Sequence, residues 1–256
     1  MVAAEGKRHR VANLHVGTMG WSYPFWVGNF YVKGLKPDRY LIEYSKRFNS
    51  VEVDTTFYRI PSPNTVQTWE TQTPSDFRFS AKFPRIITHV KMLRNCQKET
   101  DRFLSTMSQL QDKLGPLLLQ FPPYFKTEHL HLLRSFLSVL PGDYRYAVEV
   151  RNKDLLVEEL YSLLRETRTA LVLVDQPSVS TIEDSKTDFI YVRWEGDRKK
   201  VVGTLGKIEV DRKPEIQEWT QIVQKLLDRH LEIFGYFSKC YSGYPPADIE
   251  QLLAYL

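Results

Sequence analysis

Short stretches of alternating apolar and polar residues recur along the whole chain, separated by stretches whose apolar positions repeat with helical spacing. The alternating runs predict strands at Leu14–Thr18, Ser50–Thr56, Phe77–Phe83, Leu117–Phe121, Arg145–Arg151, Ala170–Asp175, Phe189–Glu195 and Glu232–Ser238. Helices are expected near Pro37–Phe48, Asn64–Gln72, Lys98–Leu114, Glu128–Val139, Leu155–Glu166 and Glu215–His230, with a last one starting about Ala247. Proline at position 37 suits a first helical turn, and Gly115-Pro116 is the kind of pair that stops one. Eight strands alternating with helices in about 250 residues imply the α/β class, as a single (β/α)8 TIM-type barrel. The barrel is expected over residues 13–256, with residues 1–12 as an N-terminal extension. An open doubly wound sheet would use fewer strands and a Gly-rich first turn, and Gly17-Thr-Met-Gly20 lacks the third glycine.

Alternation also divides each strand into two faces. Val51 and Val53 oppose Glu52, Asp54 and Thr56, and Phe77, Phe79, Ala81 and Phe83 oppose Arg78, Ser80 and Lys82. Tyr146, Val148 and Val150 oppose Arg145, Ala147, Glu149 and Arg151, and Ile190, Val192 and Trp194 oppose Tyr191, Arg193 and Glu195. The outer helices need an apolar surface to pack on, so the charged faces look into the barrel. Barrel interiors are normally filled by branched aliphatics, so this one is unusual. Gln120, Asp175 and Lys239 join the inward set from the ends of their strands. Isolated buried ions cost several kcal/mol, so these groups must pair with each other or meet a ligand. Such a network either plugs the barrel or marks a site at the C-terminal ends of the strands. Glu52 and Arg78, lower in their strands, are the more structural members.

Composition narrows the chemistry only a little. Lys and Arg number 35 against 31 Asp and Glu, a net charge of +4, which tolerates an acidic ligand without demanding one. Cys96 and Cys240 have no metal-type spacing and read as reduced thiols of a cytoplasmic protein. No apolar run is long enough for a membrane span, and no membrane partner is expected. Oligomeric state leaves no mark in the sequence.

For acid/base work the candidates are Glu149 and Asp175, with Lys82 and Asp54 beside them. Arg151, Arg193, Arg85, Arg59, His89 and Gln120 are candidate substrate contacts, and Trp21 and Tyr58 are candidate stacking platforms. Phe25 and Phe57 fit better as a cap over the barrel. His89, after the third strand, is the histidine best placed for the mouth, although a lone loop histidine more often bonds at the surface. His15 reads as core. The histidines are too few for a multi-zinc centre, and no resident cofactor is predicted. A Mg²⁺ held through water by Glu149 and Asp175 would need only those carboxylates. The loop GDRKKVVGTLGKIEVDRK after the seventh strand lies where this fold places phosphates, though charged runs are as often merely solvated.

Seven stretches then carry a resemblance. They are GTMGWSY (17–23), FNSVEVDTTFYRIPS (48–62), TPSDFRFSAKFPRIITH (73–89), LGPLLLQFPP (114–123), AVEVRN (147–152), YVRWEGDR (191–198) and YFSKCYSGYPPADIEQL (236–252). In this order they make the chain similar to the YecE-like proteins, a family labelled domain of unknown function seventy-two. The resemblance implies a TIM-type barrel and brings no established reaction or catalytic residues. Many relatives carry Asn or His where Lys239 and Cys240 stand, which weakens Lys239 as a candidate. Three readings remain: an enzyme acting on a phosphate-bearing or other anionic small molecule, by hydrolytic or phosphoryl-type chemistry; a protein that binds or processes nucleic acid; and an inert interaction scaffold.

Overall fold

The computed structural model describes residues 11–174 and 187–256. Eight parallel strands close into a barrel in sequence order: β1 (Leu14–Met19), β2 (Ser50–Val53), β3 (Arg78–Lys82), β4 (Leu114–Gln120), β5 (Tyr146–Glu149), β6 (Ala170–Val174), β7 (Phe189–Trp194) and β8 (Glu232–Phe237). Pairing of β1 with β8, from Leu14 opposite Ile233 to Thr18 opposite Phe237, makes the closing seam. Around the barrel run α1 (Tyr40–Arg47), α2 (Pro63–Gln72), α3 (Gln97–Met107), α4 (Leu130–Val139), α5 (Glu158–Glu166), α6 (Lys213–Asp228) and α7 (Pro245–Tyr255). No helix among the described residues is long and apolar enough to cross a membrane.

The faces separate as the alternation requires. Val51, Phe79, Val148, Val192 and Trp194 belong to the large apolar layer between strands and helices. Inside the barrel, Leu118, Ala147, Ala170, Val172, Phe189 and Phe234 form a smaller apolar cluster with Tyr191 and Tyr236. Hydroxyls continue it: Tyr236 lies 2.7 Å from Ser50 Oγ and 2.8 Å from Ser80 Oγ. Towards the C-terminal ends of the strands the interior becomes charged.

Several boundaries differ from the sequence reading. β2 stops at Val53, and Asp54–Phe57 form a 3₁₀ turn. The Thr56 hydroxyl donates back to the carbonyls of Val53 and Lys82, at 2.7 and 2.6 Å, and folds the chain away from the sheet. Asp54 is therefore the first residue of a turn. α3 ends at Met107 and continues as a kinked 3₁₀ segment over Ser108–Lys113, and Leu114-Gly115-Pro116, where the helical run stops, already opens β4. Gly115 suits that position, because a Cβ there would meet Phe234 and Ser80 at 3.2 Å. Asp175 lies outside the described residues.

Candidate functional site at the barrel mouth

Arg193, in β7, is 1% exposed and organises the charged layer. Its Nε and Nη2 grip both oxygens of Glu52, at 3.0 and 2.8 Å. Nη1 donates to Glu149 Oε2 and Glu195 Oε1, each at 2.5 Å, and Nη2 also reaches Met19 Sδ at 3.2 Å. A guanidinium has five N–H donors, and all five are spent inside the barrel. Arg193 can therefore position the carboxylates but has no donor left for a ligand. The sequence reading made it a substrate contact; its geometry makes it a scaffold for its neighbours.

Arg151 sits above it, its side chain one-third exposed. It donates to Glu149 Oε1 at 2.7 Å and to Glu195 Oε1 at 2.9 Å. Glu149, 1% exposed, thus has a guanidinium on each oxygen. Glu52 is fully buried and also accepts the Tyr191 hydroxyl at 2.6 Å. Burial, reinforced by the charge of Asp54, pushes the Glu52 carboxyl up from its ordinary range despite Arg193. Glu195 goes the other way. Burial opposes its charge, yet Arg193, Arg151 and Arg198 hold its carboxyl below the usual value. Burial also disfavours the charged Arg193, but the three glutamates keep it protonated.

On the opposite side of the mouth, Lys82 is nearly buried. Its ammonium lies 3.3 Å from Asp54 Oδ1 and 4.2 Å above the Phe57 ring. Phe57 also meets His89 edge-on, with ring centroids 4.9 Å apart. Thr88 Oγ1 lies 2.8 Å from His89 Nδ1, and Tyr124 donates to the His89 carbonyl at 3.2 Å. Burial, then the cations Lys82, Arg85 and Arg151, depress the imidazole to about 4. His89 is therefore neutral near pH 7, in a place lined by positive charge. Gln120 lies across from Glu149 in the β4–β5 register, buried, its amide donating to the Phe121 carbonyl at 2.9 Å.

Two cavities flank this centre. One of about 720 Å³ is bordered by Glu149, Arg151, Glu195, Arg198 and Arg212. Another, of about 940 Å³, lies beyond Phe57, between the segment after β2 and α3. Arg59, Arg85 and Tyr58 line the second cavity, not the mouth itself. Trp21, partly buried, packs edge-on against Trp69 and Phe79, at 5.3 and 6.4 Å. Phe57 departs from the sequence reading, since it forms the wall shared by Lys82 and His89 and does not belong to the aromatic cap. That cap is built by Tyr23, Phe25, Trp26 and Phe30.

Among the described residues no cluster of three or more His, Cys, Asp or Glu is arranged to hold a metal. The Mg²⁺ reading required Glu149, whose oxygens both face guanidiniums, and Asp175, which is not among the described residues. Tyr191, Glu195 and Met19 were not singled out as site residues from sequence. Parity with Arg193 marks the first two as inward, whereas nothing local marks Met19.

Residues 15–256 match the model of a family described as protein of unknown function DUF72. Over 139 residues the chain is 40% identical to the UPF0759 protein YecE of Escherichia coli K12, covering 54% of this chain and 48% of that one. The chain thus spans about half the length of that relative. The UPF0759 protein YunF of Bacillus subtilis is 24% identical over 273 residues, covering 95% of this chain and 94% of its own. A crystal structure of a DUF72 family protein from Thermotoga maritima has a TM-score of 0.69 at 27% identity, covering 94% of this chain and 97% of the other. One from Enterococcus faecalis has a TM-score of 0.73 at 21% identity, covering 95% of each, and is alike in fold.

Proposed function

The chain belongs to the DUF72 family of proteins of unknown function, and on that premise we propose that it is an enzyme acting on a phosphate-bearing small molecule by acid/base chemistry at the C-terminal mouth of the barrel. One observation carries the reading: the half-buried His89 ring packs on Phe57 at 4.9 Å, and the nearly buried Lys82 ammonium lies 4.2 Å from that same ring, so an imidazole kept neutral by burial and by nearby cations shares a wall with a positive charge. Lys82 is paired with Asp54 and Arg151 with Glu149 and Glu195, whereas Arg85 has no carboxylate partner among the described residues, and an anion would complete the recess. Lys82 and Arg151 supply the charge that binds the anion, and Asp54 and His89 are the acid/base pair. Arg193 fixes Glu149 and Glu195, and those two carboxylates fix the position of Arg151. Asp54 is the more open carboxylate, its side chain 38% exposed, and so is within reach of a ligand.

An arriving phosphate would cancel the field of the three cations. Burial, the larger cause of the depression, would remain, so the imidazole would rise only part of the way from about 4. NMR titration of the His89 ring with and without inorganic orthophosphate tests this. The expected result is an upward shift on addition of phosphate that is lost in Lys82→Met. A titration curve that phosphate leaves in place through the millimolar range would defeat the proposal.

A further inference from the structure

We propose that the cleft beyond Phe57 is a second phosphate subsite, so that the substrate is an extended molecule with at least two phosphate groups. This rests on reading the mouth as an anion site and adds the shape and charge of the ligand. The cleft is lined by Arg59, Arg85 and Arg102, all exposed. Among the described residues none of the three guanidiniums has a carboxylate or side-chain hydrogen-bond partner, in contrast to the arginines of the mouth. The one carboxylate in the lining, Glu99, is shared with Lys91 at 2.7 Å, so three arginines face a single carboxylate that already has a cation. Three like charges around one concavity repel one another and concentrate positive potential there, and an anion relieves both.

The chemistry favours phosphate. Planar guanidinium forks match phosphate oxygens in pairs. A bound peptide would need N–H donors for its carbonyls, but Pro61, Pro63 and Pro84 line the cleft and have none. The two sites are also contiguous. Arg85 lines the cleft and is one of the cations that depress His89, and Phe57 borders the cleft while packing on both His89 and Lys82. Tyr58, in the cleft lining and 79% exposed, stands with its ring edge-on to Phe57 at 5.1 Å. It offers an aromatic face to whatever joins the two phosphates.

The test compares inorganic tripolyphosphate with orthophosphate on the wild-type chain and on Arg59→Gln/Arg102→Gln. Both arginines are exposed and belong to the cleft alone, so Arg85 and the mouth stay intact. Tripolyphosphate should bind the wild type more tightly than orthophosphate. The double variant should lose about tenfold of that affinity, as expected for charge-assisted hydrogen bonds discounted for exposure. It should also show a shallower dependence on salt, while the shift of His89 by orthophosphate persists. Unchanged tripolyphosphate affinity in the double variant, or equal binding of the two anions by the wild type, overturns the subsite. Arginine-dependent tripolyphosphate binding with a motionless His89 keeps the subsite and refutes the mouth. Competition by a short oligothymidylate then separates the two sources of a phosphate chain. Displacement that strengthens with length supports the subsite with a nucleic-acid backbone as its ligand, and no displacement supports it with a small polyphosphate.

Discussion

Replacing Arg193 by methionine tests the charged layer where it is most concentrated. The side chain is 1% exposed and touches three carboxylates. Two of them, Glu149 and Glu195, retain Arg151. Glu52 retains only the Tyr191 hydroxyl, so the variant strands one carboxylate in the interior. Breaking a buried pair by removing one partner costs about 3–5 kcal/mol, which for a chain of this size lowers the melting temperature by about 10 °C. The loss must also depend on pH. Without Arg193 the Glu52 carboxyl rises further above its ordinary range, so the folded state keeps a proton that the unfolded chain releases above about pH 4.3. Stability of the variant therefore falls as pH increases from there, and most of the deficit disappears in acid. Adding Glu52→Gln removes the stranded charge, keeps an acceptor for Tyr191, and should restore most of the stability. Thermal melts of the wild type, the single variant and the double variant across pH 4–8 would measure all of this. A single variant within about 1 kcal/mol of wild type, or a double variant no better than the single, would refute the account of the layer.

Two other outcomes follow from local geometry. Asp248, 2% exposed, is raised to about 7, chiefly by burial, although the Ser242 hydroxyl donates to it at 2.7 Å. Its folded-state value exceeds its unfolded one by about 3 units, worth about 4 kcal/mol at 1.36 kcal/mol per unit. That stability is present below about pH 4 and is lost as pH rises to 7. Asp248→Asn should match wild type in acid and exceed it above pH 7, and a difference in melting temperature that does not vary with pH would count against the assignment. Gly196→Ala should destabilise by more than 1 kcal/mol, because φ is +71° and a Cβ would lie 2.1 Å from the Cys240 carbonyl. Gly142→Ala, with nothing within 4 Å, should be neutral or slightly stabilising, and urea titrations of the two glycine variants would measure both.

Period-two alternation made the fold and the inner charged set legible, because a barrel strand has only two faces and the helices claim the apolar one. Glu52, Lys82, Glu149, Arg193 and Glu195 all lie inside as parity requires. Alternation could not show which cation would be saturated, because that depends on carboxylates from β2, β5 and β7 meeting at one guanidinium. Nor could it show where a strand stops. Asp54 keeps the parity of Glu52 but sits on a turn made by the Thr56 hydroxyl. Trp21 follows a strand end, as a stacking platform would, and local sequence does not show that its ring packs on Trp69, a partner 48 positions away. Arg102 was invisible for a different reason: a solvent-facing arginine of a helix has no local signature until its neighbours fail to neutralise it.

The seam between β1 and β8 joins residues more than 200 positions apart, and Arg193 meets Glu52 across 141. During synthesis, the carboxylate of Glu52 therefore waits in water until the seventh strand has emerged, and the ring cannot be sealed before the eighth. Half-finished barrels present two bare parallel edges, and contacts of this range make for slow folding. Hydrated ions facing inward hinder a partial ring from collapsing on itself too early, because drying them is costly until the matching guanidinium arrives. The same layer that shapes the mouth would thus act as a timing device for assembly.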